Sequence, residues 1–278
     1  MVKRLITAAI GIPIGVFILW LNNAHLMAGV CALLSVLAVY EILGAGKYLA
    51  HKAVSVTAMV FAFILPLLFC YDEIRGSAII VSFIFLVAML CAMLINHKEV
   101  RFDEIGLISF VTVCIPLAIS TLAFFMFRYP EHGVFFIVYT LVETWIADGG
   151  AYFVGTFFGK HKLCPDISPK KTVEGAVGGI VTTGIIFDVY AYFYRMVQLA
   201  IGVPDFSVNY IALALVGMMC AVLGMLGDMS ASLIKRQNNI KDYGNLIPGH
   251  GGMLDRFDSV LFVAPFLVIV LKFLPVFS

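Results

Sequence analysis

The chain has 278 residues, of which 62% are hydrophobic and 13% charged, with 18 Lys and Arg against 17 Asp and Glu. An ordinary soluble domain carries about 25% charged residues, so a mean hydropathy of +1.03 makes the bilayer the expected solvent. No nucleic-acid partner is expected. The six cysteines, Cys31, Cys70, Cys91, Cys114, Cys164 and Cys220, are scattered, with no CxxC pair and no Cys/His cluster at zinc spacing, and read as structural filler.

A transmembrane helix needs about 20 mostly apolar residues. Runs of that kind lie near residues 5–21, 26–46, 54–71, 77–95, 104–127, 133–159, 173–194, 210–234 and 259–277. The first follows "MVKR", but its end, "LWLNNAHL", offers no small-x-small cleavage site, so a retained signal anchor is expected. Small residues spaced four apart, Gly11/Gly15, Gly155/Gly159 and Gly175/Gly179, mark helix faces able to approach closely, within one chain or between two. The expectation is an all-α polytopic membrane protein of about nine spans, a single domain over 1–278. Helices 1–132 would precede a catalytic region 133–278 with loops 160–172 and 235–258.

Basic residues support that segmentation. Lys3 and Arg4 precede the first run, and the loops after the second, fourth, sixth and eighth runs carry 12 more, so one side of the membrane receives 14 of the 18. Only Arg75, Arg128, Arg195 and Lys272 fall on the other. This asymmetry follows the positive-inside bias, which places the N-terminus in the cytoplasm and the C-terminus opposite.

The sixth and eighth runs end in polar sequence, "ETWIADGGAYFVGTFFGKHKLCPDISPKKTVEG" and "GDMSASLIKRQNNIKDYGNLIPGHGGMLDRFDS", which read as two halves of one site. Ionisable groups at membrane depth are costly and default to functional hypotheses. Helical spacing puts Asp228, Ser232 and Lys235 on one stripe, and likewise Asp148, Tyr152 and Gly155. A carboxylate with a hydroxyl and an ammonium beside it suits a hard divalent cation next to phosphate oxygens, and the scarcity of thiol and imidazole favours magnesium over zinc. Each acid also has a plainer reading as a packed polar group. Glu41 and Asp188 are expected in structural pairing or at the interface, and Glu143 is open between the two.

In the first loop, Ser168 before Pro169 fits an N-cap and first helical position. Lys170 and Lys171 would then oppose the helix dipole, which makes sense if an anion binds there. In the second, Pro248, Gly249, Gly251 and Gly252 surround His250 and could turn several backbone N–H groups toward an anion. With Lys235, Arg236, Lys241 and Arg256 nearby, such a turn is a cradle for a polyphosphate; topology and attraction to anionic headgroups are the rival account of those charges. The "SLIK" at 232–235 has the Ser-x-x-Lys spacing of penicillin-binding proteins but lacks their other motifs.

The stretch Ser232–Asp258, S-x-I-K-R, four residues, K-D-x-G, two residues, I-P-x-H-G-G-M-x-D-R-F-D, resembles the signature of the phosphatidate cytidylyltransferase family, the CDP-diacylglycerol synthases. "ADGGAYFVGTFFGK" and "SPKKTVEG" are similar to other family stretches, and the short chain resembles the bacterial members. The resemblance implies transfer of the cytidylyl group of CTP to phosphatidic acid, with release of pyrophosphate, at the cytoplasmic face of an inner membrane. It implies Asp228 and Asp255 as magnesium ligands and room for a second cation; Asp148 is added from its own surroundings. The expected catalytic set is Asp228, Asp255, Lys235, Arg256 and His250. The expected substrate contacts are Ser168, Lys170, Lys171, Ser232, Arg236, Lys241, Asp242, Gly251 and Gly252. A homodimer through small-residue helix faces is the expected assembly. The alternatives are a CTP-dependent polyprenol-type lipid kinase and an ion-coupled transporter built on Glu41, Glu143, Asp148 and Asp188. A CDP-alcohol phosphatidyltransferase would need an Asp-Gly-x-x-Ala-Arg pattern that the sequence lacks.

Overall fold

The computed structural model describes residues 2–70, 77–249 and 251–277, so the expectation for His250 falls outside the described residues, as does that for Arg75. The apolar runs all lie on helices: α1 (Val2–Trp20), α2 (Ala24–Ala45), α3 (Lys52–Cys70), α4 (Ser77–Ile95), α5 (Phe102–Arg128), α6 (Gly133–Phe158), α7 (Val173–Ala200), α8 (Tyr210–Gln237) and α10 (Val260–Phe273). A single turn, α9, spans Leu254–Phe257. Among the described residues five helices, α2, α5, α6, α7 and α8, are long and apolar enough to cross a membrane, and shorter apolar helices accompany them. The protein is thus mostly helical and consistent with a polytopic membrane protein. The departure from all-α is a hairpin of β1 (Lys162–Cys164) and β2 (Ser168–Thr172), antiparallel, with Lys162 opposite Thr172 and Cys164 opposite Ser168.

The chain divides into two compact units, Met1–Val134 with Lys235–Phe257, and Phe135–Ile234 with Asp258–Ser278. In the first, α2 packs on α3 and α5, and α4 on α3. Small residues on α2, Ala28, Cys31, Ala32 and Ala38, are completely buried and let those helices approach, while Ile108, Ile119 and Leu122 of α5 fill the space between. Phe61 of α3 stacks on Phe85 of α4 with ring centroids 4.1 Å apart. Asn23 starts α2 by accepting a hydrogen bond from the Leu26 N–H. The 235–257 segment belongs to this unit because α2 holds it, through contacts described below.

In the second unit α6 and α7 meet through glycines. A Cβ on Gly175 would lie 2.6 Å from the Ala151 carbonyl and one on Gly179 2.6 Å from that of Ala147, so no side chain fits at either place. The small-residue faces of 155/159 and 175/179 are therefore a contact within one chain. Farther along the same helices, Tyr139 stacks on Phe187 at 3.7 Å and Phe135 on Tyr190 at 4.7 Å. Phe277 closes this aromatic cluster against Phe135, and Asn209 N–H donates to the Val276 carbonyl.

Candidate active site

The second unit holds a cavity of about 590 Å³ between α6, the hairpin and the first turns of α7. Asp148, Tyr152 and Gly155 all line it, as their spacing on one helix face requires. Lys162, Lys170 and Lys171 reach it from the hairpin, and Met225 from α8. Lys171 Nζ lies 2.5 Å from Asp228 Oδ2, in a half-buried pair. Asp148 is within electrostatic reach of both Lys171 and Asp228. Two carboxylates and one ammonium thus converge at this end of α6 and α8.

The hairpin is fixed at its base by residues that sequence reasoning did not select. Glu174 accepts hydrogen bonds from the backbone N–H groups of Lys160 and His161, at 3.1 and 3.2 Å, and stands 2.6 Å from His161 Nδ1. Thr172 caps α7, its hydroxyl oxygen accepting the Gly175 N–H. The expectation that Ser168 and Pro169 open a helix is therefore corrected: both lie in β2, and α7 begins at Val173. A helix N-terminus favours an acid and disfavours cations. The chain meets that rule with Thr172 as cap and Glu174 in the first turn, leaving Lys170 and Lys171 on a strand. Proline is tolerated there because in a two-stranded sheet each strand is an edge. The signal was present: Thr172 with an acid two residues on is a better helix start than Ser168 with two lysines following.

In the first unit the 235–257 segment is built around two buried acids. The Asp255 side chain is 4% exposed. It takes a salt bridge from Lys235 at 2.8 Å and accepts the N–H groups of Tyr243 at 2.8 Å and Gly252 at 3.0 Å. The Lys235 ammonium also lies over the Tyr243 ring, 5.4 Å from its centre. Glu41, 3% exposed on α2, accepts the N–H groups of Met253 at 2.9 Å and Leu254 at 2.8 Å. A Cβ on Gly252 would lie 2.5 Å from a Glu41 oxygen, so glycine there makes room for the carboxylate. Gly249 and Gly251 have φ of 82° and 85°, the left-handed conformation that glycine adopts at least cost.

This geometry changes the reading of the Gly-rich turn. The N–H groups of Gly252, Met253 and Leu254 are aimed at the protein's own carboxylates, so the expected backbone cradle for an anion is filled by Asp255 and Glu41. Cations are what the segment presents outward: Arg236, Lys241 and Arg256 are exposed, along with Asp242. Ser232 is half-buried on α8, which runs unbroken through Asp228, Ser232 and Lys235. Glu41 is in structural pairing as expected, though nothing in the sequence names a partner 212 residues away. Glu143 is fully buried, and neither of its oxygens has a hydrogen-bond partner among the described residues.

Among the described residues no group of three or more His, Cys, Asp or Glu forms a cage for a metal. Magnesium is commonly held by only one or two carboxylates together with substrate phosphates and water. Asp148 and Asp228, the latter paired with Lys171, offer carboxylates in the second unit, and Asp255, paired with Lys235 and two backbone N–H groups, offers one in the first.

A family model described as the cytidylyltransferase family matches residues 2–274. The chain belongs to the cytidylyltransferase family. It is 35% identical to the phosphatidate cytidylyltransferase of Bacillus subtilis (strain 168) over 98% of this chain and 97% of that protein. It is also 42% identical to the phosphatidate cytidylyltransferases of Staphylococcus haemolyticus and Staphylococcus aureus over 149 residues, 53% of this chain and 54% of each of theirs. The motif segments on α6, the hairpin, α8 and the 235–257 loop all fall within the family match.

Proposed function

We propose that this protein transfers the cytidylyl group of CTP to phosphatidate, giving CDP-diacylglycerol and pyrophosphate for phospholipid synthesis. The observation that carries the reading is the near full-length likeness to the Bacillus subtilis enzyme. In the reaction a phosphate oxygen of phosphatidate attacks the α-phosphorus of CTP. The bond from that phosphorus to its bridging oxygen breaks, and pyrophosphate leaves with the electron pair. Phosphatidate is already ionised at neutral pH, so the protein's task is to bring two polyanions together and in line. Lysine and arginine perform it: Lys171, oriented by Asp228, and Lys170 and Lys162 in the cavity; Lys235, oriented by Asp255, with Arg236, Lys241 and Arg256.

Magnesium is the proposed cofactor, with Asp228, Asp255 and Asp148 as the residues that would hold it. When bound it would supply charge neutralisation at phosphate oxygens. We place the enzyme in a bacterial inner membrane with its site on the cytoplasmic face, in a nine-span arrangement with the N-terminus inside and the C-terminus opposite. The clustering of basic residues at alternate loops supports this layout. A homodimer is the proposed assembly.

The test is pyrophosphate release by detergent-purified protein given CTP and phosphatidate, with and without magnesium, comparing wild type with Asp228→Asn and Asp255→Asn. Activity that needs lipid, CTP and metal, and falls at least 100-fold in both folded variants, is expected. Formation of CDP from an alcohol lipid would instead establish the kinase.

A further inference from the structure

The charged lining of the second-unit cavity is three lysines and one aspartate, and the rest is mainly small or apolar, including Ala151, Gly155, Ala176 and Met225. A nucleobase needs neutral donors and acceptors for its edge. Here the lining offers Tyr152, Thr156 and Thr172, and the Thr172 oxygen is already taken by the Gly175 N–H. A phosphate monoester needs cations. Lys162 faces Thr172 across the hairpin, and Lys170 lies two residues before Thr172. The register slips between Lys162 and Cys164, yet both lysines line the cavity, one from each strand of the hairpin. Both are exposed, and an anion bound between them would offset the repulsion of two like charges lining one cavity.

The helices flanking the cavity have outward apolar stripes. Phe153 and Phe157 are 62% and 75% exposed on α6, next to the lining residues Tyr152 and Thr156. Val173, Val177 and Val181 form a second exposed stripe on α7, next to the lining residue Ala176. The ammonium groups would serve any phosphate, and the exposed apolar helix faces beside them are what match an amphiphile with an anionic head.

We propose that this cavity is the lipid subsite: Lys162 and Lys170 bracket the phosphate of phosphatidate, and its acyl chains run over the Phe153/Phe157 and Val173/Val177 faces. The triphosphate of CTP is left to other basic residues. The assignment rests on the cytidylyltransferase reading and adds to it which substrate these residues hold.

Steady-state kinetics in mixed micelles, varying phosphatidate surface fraction and CTP separately, test it with Lys162→Ala, Lys170→Ala and the double variant. Each single variant is expected to raise the KM for phosphatidate about tenfold and leave the KM for CTP within twofold, with Lys170→Arg recovering most of the loss. A rise in the CTP KM with the phosphatidate KM unchanged would overturn the assignment, as would no change in either. Phosphatidate binding without nucleotide is measured in parallel, by retention of the purified protein on nanodiscs containing phosphatidate against nanodiscs of neutral lipid. The double variant should lose the preference for phosphatidate discs, and keeping it overturns the assignment. If wild type makes no CDP-diacylglycerol yet prefers phosphatidate discs and the double variant does not, the activity reading fails and the lipid subsite stands.

Discussion

Replacing Glu41 tests whether α2 holds the 235–257 segment in place. Its carboxylate receives two backbone N–H groups, from Met253 and Leu254, in a setting that is 3% exposed. A hydrogen bond to a charged group contributes about 1.5–3 kcal/mol, and a buried donor left without a partner costs a similar amount. Glu41→Gln keeps the shape, but its amide nitrogen is a donor and cannot accept the second N–H; the loss is about 2 kcal/mol. Glu41→Ala orphans both donors, for about 4 kcal/mol. If the loss falls on the seating of the segment, its released population rises roughly 30-fold for Gln and roughly 1000-fold for Ala. Hydrogen exchange at the Met253 and Leu254 amides reads this directly, and kcat should fall in the same order because release would carry Asp255 away from Lys235 on α8. Gly252→Ala, whose methyl would strike the same carboxylate, should do comparable damage. Combining it with Glu41→Ala should cost less than the sum of the two. Unchanged protection at Met253 and Leu254 in Glu41→Ala would refute the reasoning.

Four further outcomes are expected. Lys171→Met should lower kcat at least 100-fold without loss of folded protein, and Asp228→Asn should do the same; a double-mutant cycle between them should show strong coupling because they share a 2.5 Å pair. Gly175→Leu should abolish accumulation of folded protein, since even a Cβ there meets the Ala151 carbonyl at 2.6 Å; normal yield in the membrane would contradict the close α6 and α7 contact. Thr172→Val removes the cap of α7 and should cost about 1 kcal/mol, seen as a lower thermal midpoint that Thr172→Ser restores. Chelation should remove activity, magnesium should restore it, and calcium should substitute poorly because it prefers more ligands at longer distances.

Much of this was legible in the sequence, and the reasons differ by residue. Apolar runs long enough to be helices announce themselves by length, and all of them are helical. Asp148, Tyr152 and Gly155 could be grouped from spacing alone because helix geometry is local. Lys171 with Asp228, 57 residues apart, and Glu41 with Leu254, 213 apart, could not be, because nothing local encodes which distant groups meet. Ser168 does not start the helix for a different reason: Thr172 as cap with Glu174 in the first turn satisfies the dipole better than Ser168 followed by Lys170 and Lys171. The Gly-rich turn is legible as a sharp bend, and Gly249 and Gly251 take the left-handed conformation. What its amides face depended on Glu41, which no pattern in the turn reveals.

The Glu41 contact also bears on how the protein is made. Ribosomes add about 5–20 residues per second, and 212 residues separate Glu41 from Met253. After α2 has left the ribosome, roughly 10–40 s pass before the segment that receives its carboxylate exists. Throughout that interval an acid on an apolar helix lacks its eventual partners, and the insertion machinery must accept α2 in that condition. The seating of the loop therefore comes late in biogenesis: chains stalled before Met253 would have α1 to α8 made, α10 still to come, and none of the contacts that hold the loop on α2.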